Sequence, residues 1–355
     1  MDRRASGALA CLPGTLILSL RRRELERRNV DMTVFAVTLA PYLETLLTTD
    51  GLISGRTNRI CGARRRMMGG GIAAGRVLER MGLDVRYLGI LGRDNAPEMV
   101  SLLGDRAGES GFVETKGRSR ERIFLRAGGA SLRLEHPAPA WDRHAFARLQ
   151  RLLCSALQPG DAVMLCGGFP QGWQNEPGCE EQLAGLCRRI ARLGGRVAVD
   201  GVFQSLGLLH YARPSVVLLT QDELERLTGV KANTPVRLRA VMAMAAGNDT
   251  ESLLVPRGVG ALAALCGGTM RLACRHETAL DHEGNPHLSF SVGGELSRYR
   301  MLAGYTAALA QNQDEAAGLE LACACAAPQM GRRGRWGLRE IQKSAGQVTV
   351  KEWRL

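Results

Sequence analysis

A chain of 355 residues with 45% hydrophobic content can bury a sizeable core as one large domain, or one domain with a small appendage. Its apolar runs fall short of the roughly 20 residues a membrane span requires, so no membrane partner is expected. A net charge of +12 suggests an anionic partner such as nucleic acid, membrane or a phosphorylated small molecule, but the arginine clusters at 21–23, 64–66 and 332–335 carry no interleaved aromatics, which argues against a nucleic-acid groove and reads most of them as solvated arginines.

In chain order, the first 31 residues come first and stand apart. MDRR followed by ALACLPGTLILSL resembles the charged and apolar regions of a secretion signal. Pro13 interrupts it, however, and RRRELERR stands where a small-residue cleavage site should be. Met32 opens MTVFAVTLAP, which reads as a start followed by a first strand. Residues 1–31 are therefore expected to be an extension outside the fold, and 32–355 a single domain.

From Met32 onward, short β-branched runs at 34–39, 85–91, 162–166, 196–199, 215–219, 252–255 and 261–265 read as strands. Amphipathic stretches at 72–81, 145–157, 180–193, 221–228 and 236–245 alternate with them as helices. That alternation predicts an α/β fold with a mainly parallel central sheet flanked by helices on both faces. Two polar, turn-rich segments, 43–64 and 112–134, break the rhythm and predict a small inserted β-lid. The ten cysteines contain no Cys-x-x-Cys, and Cys323 and Cys325 lie in an alanine-rich run without a histidine partner. A reduced, cytoplasmic setting is expected. The six histidines have no spacing that suggests a metal site.

Three glycine-bearing turns mark candidate ligand positions. Met68-Gly69-Gly70-Gly71 precedes the helix at 72, where exposed backbone N–H groups can meet an anion or a sugar hydroxyl. Cys166-Gly167-Gly168-Phe169-Pro170 ends a buried strand, at the ligand edge of an open sheet. Ser291-Val292-Gly293-Gly294 precedes a helical run from Met301. No G-x-x-x-x-G-K-[ST] loop occurs, and no G-x-G-x-x-G follows a strand, so P-loop and dinucleotide readings lack their mechanism.

The order of these pieces resembles the ribokinase-like PfkB carbohydrate kinases, most of all the 1-phosphofructokinases and tagatose-6-phosphate kinases. Their opening T-L-N-P-x-x-D is similar to Thr38-Leu39-Ala40-Pro41-Tyr42-Leu43-Glu44, and their G-G-K-G-x-N to Gly69-Gly70-Gly71-Ile72-Ala73 and its neighbours. Gly89-Ile90-Leu91-Gly92-Arg93-Asp94, Ser119-Arg120-Glu121-Arg122 and Val199-Asp200 follow in the family's sequence. So do Thr220-Gln221-Asp222-Glu223, Arg257-Gly258-Val259-Gly260-Ala261 and the closing Gln347-Val348-Thr349-Val350. The resemblance implies ATP and Mg²⁺ as cofactors, a sugar phosphate as substrate, and a homodimer paired through the lid. It implies substrate contacts from Glu44, Gly69, Gly70, Gly71 and Arg120. It also implies nucleotide contacts from Thr220, Glu223, Arg257, Gly258 and Gly260, with Glu223 orienting Mg²⁺ through water.

The departures fall on the chemistry. The family's G-A-G-D turn supplies an anion hole and a general base, yet no Asp stands near Gly293 and Gly294. Glu295 is the nearby carboxylate that could substitute as base; Tyr299 falls at the Asp position counted back from the helix, and 295–300 reads as a lengthened loop. The family's Lys and Asn in the first glycine turn are Gly70 and Ala73, and the Asn of its N-x-x-E is Thr220. Two readings follow. The chain is an ATP-dependent phosphosugar kinase using Glu295, or it is an inactive kinase retained for ligand sensing or assembly.

Overall fold

The structure is a computed structural model, and it describes residues 32–353 apart from 168, 174–175, 202, 259, 276–293 and 327–336, and apart from the side chains of 130 and 294–296. The expected extension at 1–31 lies outside the described residues. β1 (Thr33–Thr38) leads out of the body into β2 (Tyr42–Thr49) and β3 (Gly62–Met68). The chain returns through α1 (Gly70–Arg80), β4 (Asp84–Gly92), α2 (Ala96–Ser101) and β5 (Gly111–Thr115), then leaves again as β6 (Glu121–Ala127) and β7 (Ala130–His136). Strand–helix units follow: α3 (Arg143–Ala156), β8 (Ala162–Cys166), α4 (Cys179–Arg192), β9 (Arg196–Asp200), α5 (Leu206–Ala212), β10 (Val216–Leu218), α6 (Gln221–Thr228), α7 (Pro235–Ala246) and β11 (Ser252–Pro256). The end of the chain supplies β12 (Ala261–Cys266), β13 (Thr269–Arg275), α8 (Gly294–Ala310), α9 (Glu315–Cys325), α10 (Leu338–Ala345) and β14 (Val348–Glu352).

Ten strands form one sheet in the order β14-β13-β12-β11-β10-β9-β8-β1-β4-β5. The seven from β11 to β5 are mutually parallel, and β12, β13 and β14 add an antiparallel margin. Alternate residues of β1 show why the sheet is covered twice. Val34 and Ala36 pack among α1, α8, α9 and α10, whereas Phe35 and Val37 pack among α3, α4, α5, α6 and α7. A strand buried on both faces reads as a continuous apolar run, which is the pattern visible in the sequence.

The second sheet, β3-β2-β6-β7, is built from the two segments expected to form the lid. Its bounds differ from the expected 43–64 and 112–134. The first part extends to Met68, and the second begins only at Glu121. Gly111–Thr115 instead pairs in parallel with β4 at the edge of the body. There Phe112 joins one core and Val113 the other, so the segment has two apolar faces to bury where a lid strand has one. The lid register places Leu47, Ile123, Leu125, Leu132 and Leu134 on one face, with Glu44, Arg66, Arg122 and Glu135 on the opposite face. Leu132 and Leu134 are 43% and 52% exposed.

Candidate active site

The carboxyl ends of β1, β8, β9 and β10 and the amino ends of α1, α6 and α8 meet at one edge of the sheet, where ligands of open α/β folds bind. The first glycine turn is pressed onto the end of β1. Gly71 N donates to Thr38 Oγ1 at 2.8 Å, and a Cβ on Gly69 or Gly71 would stand within 2.7 Å of the Thr38 side chain. Glycine is required here by close approach.

Across this turn lies Tyr299. A Cβ at Gly70 would come within 2.8 Å of both the Tyr299 ring and Cys166 Cβ, and one at Gly167 would come within 2.9 Å of the Tyr299 hydroxyl. Tyr299 is 6% exposed, so its ring fills the space between the first two glycine turns. The expected lengthened loop at 295–300 is not present: α8 begins at Gly294, and these residues form its first turns. Starting the helix there places Ser297 Oγ against the Ala326 carbonyl at 3.3 Å and turns Arg298 and Tyr299 into the cleft.

Arg298 is the centre of the site. Its Nε donates to Asp200 Oδ1 at 2.6 Å, and its Nη1 and Nη2 donate to Glu223 Oε1 and Oε2 at 3.0 and 2.8 Å. The fork geometry of guanidinium matches the Glu223 carboxylate on one side and leaves Nε for Asp200 on the other. Asp200 is 3% exposed. Burial, aided by the nearby charge of Glu223, pushes its carboxyl up to about 6 against the pull of Arg298. Burial also works to raise Glu223, but hydrogen bonding to Arg298 and Thr220 leaves it below the usual carboxylate range. Arg298 itself is held protonated: the two carboxylates outweigh its burial. Gly201, at φ 53°, closes the cluster, because a Cβ there would lie 2.6 Å from Arg298 Nη2.

Glu223 has a second task. Its Oε2 accepts from Thr220 N at 2.7 Å while Thr220 Oγ1 accepts from Glu223 N at 3.2 Å, a reciprocal cap on α6. The Thr220 and Glu223 pair, expected at the nucleotide, is thus fully engaged by helix capping and Arg298. Cys166, beside Gly70, is buried, which raises its thiol well above the ordinary value.

The remaining expected residues are placed as follows. Glu44 is 7% exposed and pairs with Arg66. Arg120 sits beneath the lid, 3.2 Å from Glu135, which also holds Arg122 at 3.0 Å. The Arg257–Gly260 turn keeps left-handed glycines, with Gly258 at φ 130° and Gly260 at φ 82°. Arg257 pairs with Gln221, and the Arg275 side chain lies 2.9 Å from where a Gly260 Cβ would be. Gly293 and the Glu295 side chain lie outside the described residues, and Gly294 opens α8. Sequence reasoning placed Asp200 only as the strand-end residue of a family motif and missed Arg298 as the centre. The signal was an arginine at a glycine position of the family turn.

Mg²⁺ does not fit this arrangement. Among the described residues, Glu223, expected to orient it, and the adjacent Asp200 are both taken by a guanidinium, and a charge of +1 about 4 Å from a divalent ion costs about 8 kcal/mol even at an effective dielectric of 20, twice the unit-charge value.

No family model matches the chain. It is 25% identical over 230 residues to the 1-phosphofructokinase of Vibrio cholerae, covering 63% of this chain and 70% of that one. It is 28% identical over 216 residues to the 1-phosphofructokinase of Rhodobacter capsulatus, covering 57% and 65%. Escherichia coli phosphofructokinase-2, solved in complex with fructose-6-phosphate, superposes with a TM-score of 0.73 at 20% identity, covering 89% of this chain and 99% of that one. The chain is similar to these PfkB-family phosphofructokinases and shares their fold. Its matched segments span about two thirds of the curated relatives' length, and the ribokinase-like fold covers nearly the whole body.

The Arg298 cluster sets the first expectation. Arg298→Met leaves two carboxylates buried without a partner and should cost about 3–5 kcal/mol in urea denaturation at pH 7. Adding Asp200→Asn and Glu223→Gln should restore most of that loss. A single substitution costing under about 1 kcal/mol contradicts the cluster.

Proposed function

We propose that this chain does not transfer phosphoryl groups and serves through ligand sensing or assembly. The observation that carries the reading is Arg298, whose guanidinium occupies the two carboxylates nearest the expected metal position. Tyr299 supports it by filling the space over Gly70, where the family has a lysine. Relatives of this family act as 1-phosphofructokinases, which makes fructose 1-phosphate with ATP the appropriate trial substrates.

Magnitudes favour this reading over an active kinase. Loss of one oxyanion-type donor costs about 3–4 kcal/mol, and loss of a general base about another hundred- to ten-thousandfold in rate. Turnover should lie at least about a thousandfold below the roughly 1–100 s⁻¹ usual for kinases. A coupled ATPase assay with fructose 1-phosphate, and separately fructose 6-phosphate, checks this. Turnover near 1 s⁻¹ with either sugar would restore the kinase reading.

For assembly, the lid offers its apolar face. Leu132 and Leu134 form an exposed edge on β7 beside Ile123 and Leu125, which suits pairing with a second copy of this chain and would protect an open sheet edge. The comparison is encouraging, since phosphofructokinase-2 of Escherichia coli has been solved in a tetrameric inhibited form. Light scattering at micromolar concentration should give a dimer mass that falls to the monomer's in Leu132→Glu with Leu134→Glu. A monomer in the unmodified chain refutes lid pairing.

A further inference from the structure

At the edge of the sheet opposite the cleft, β1, β8, β9 and β10 begin beside the last turn of α8. A cavity of about 260 Å³ lies there, between the strand starts and the helix end. Ala162, Ala198 and Val216 lie on the α8 side of the sheet, and their short side chains leave the gap below the helix end unfilled. α8 itself closes in a Schellman motif. Gln313 N donates to Ala308 O at 2.9 Å and Asn312 N to Leu309 O at 3.0 Å, with Asn312 in the left-handed conformation at φ 52°. Arg196 Nη1 donates to the same Leu309 carbonyl at 3.0 Å, which holds its guanidinium at the cavity.

Among the described residues that line the cavity, Arg196 alone carries a charge, and no described carboxylate pairs with it. Asp161, between two lining residues, is not part of the wall. It is 3% exposed, and its oxygens accept from Thr33 N at 2.9 Å and Gln158 N at 2.8 Å. The carbonyls at the end of α8, which would repel an anion, are partly satisfied by the Schellman bonds and by Arg196. Thr306, 3% exposed, brings to the wall a hydroxyl without a hydrogen-bond partner, which is costly for a buried group. A cavity that merely holds water accounts for the volume. It does not account for a guanidinium held without counter-charge among mostly apolar neighbours, nor for the unpartnered hydroxyl on the same wall.

We propose that this cavity binds a small carboxylate with an apolar body, the carboxylate on Arg196 and the body against Ala162, Ala198 and Val216. The guanidinium fork matches a carboxylate and makes charge-assisted hydrogen bonds to it. One guanidinium balances the single charge of a carboxylate, whereas a phosphate dianion would be left half-compensated. At the roughly 30 Å³ that a water occupies, the volume takes on the order of ten non-hydrogen atoms. The site lies at the opposite edge of the sheet from Arg298, so it does not rest on whether the cleft is catalytically silent.

Fluorine NMR of 4-fluorobenzoate titrated with the full chain tests this, with 4-fluorobenzamide as the uncharged probe of the same shape. Saturable binding of the carboxylate is expected, and the amide should bind at least about tenfold more weakly. Arg196→Gln, at an exposed position, should weaken the carboxylate by at least about tenfold as well. Thr306→Val, of nearly equal shape, should weaken it about two- to fivefold, and Ala310→Phe should abolish binding by filling the cavity. Neither fructose 1-phosphate nor inorganic phosphate should displace the probe. The comparison of the two probes needs no substitution, so it stands even if a variant fails to fold. Absence of saturable binding overturns the site, and is the result expected if residues 1–31, which precede Met32 at the wall, cover it. Equal binding of carboxylate and amide overturns the role of Arg196. Displacement by fructose 1-phosphate, or binding kept in both Arg196→Gln and Ala310→Phe, overturns the site by placing the probe elsewhere.

Discussion

One guanidinium shared by two buried carboxylates governs the ligand edge of this fold. Arg298 reaches from α8 to Asp200 at the end of β9 and to Glu223 at the start of α6, tying three elements together. Such a cluster is poor evidence for added stability, because desolvating three charges offsets much of their attraction. Its consequence is specificity of arrangement. It holds the first turns of α8 against β9 and α6, with a positive charge between Asp200 and Glu223.

The substitutions around the cluster are sterically coupled. Gly70 permits Tyr299, since any side chain there would strike its ring, and Gly201 permits Arg298 and Glu223 to approach each other. A lysine restored at position 70 has no room while Tyr299 stays. The residues around the cluster are therefore coupled, and changing one alone leaves its neighbours unaccommodated. The scaffold beneath is unaffected, because the two cores on either side of β1 bury their side chains independently of what occupies the edge.

The body was legible in the sequence for a physical reason. Parallel strands covered on both faces leave unbroken apolar runs such as 162–166, and the helices between them keep one apolar stripe, so 221–228 could be bounded to the residue. The glycine turns were legible by their order along the chain. The lid edge was not, because Gly111–Thr115 is too short and too mixed to show that both of its faces are buried. The start of α8 was misjudged because Glu295 to Arg300 looks like an interrupted turn when its partners are unseen. Asp200 and Glu223 lie 98 and 75 residues from Arg298, and nothing local marks them as its counter-charges.

Electron paramagnetic resonance of Mn²⁺ titrated into the full chain with ATP asks directly whether Arg298 stands in the metal's place. With the guanidinium there, the spectrum should contain only free Mn²⁺ and free Mn·ATP, in proportions unchanged by the protein. A protein-dependent loss of the free signal that saturates, and that disappears in Glu223→Gln, would show that the carboxylates remain open to a metal and would contradict the closed cleft.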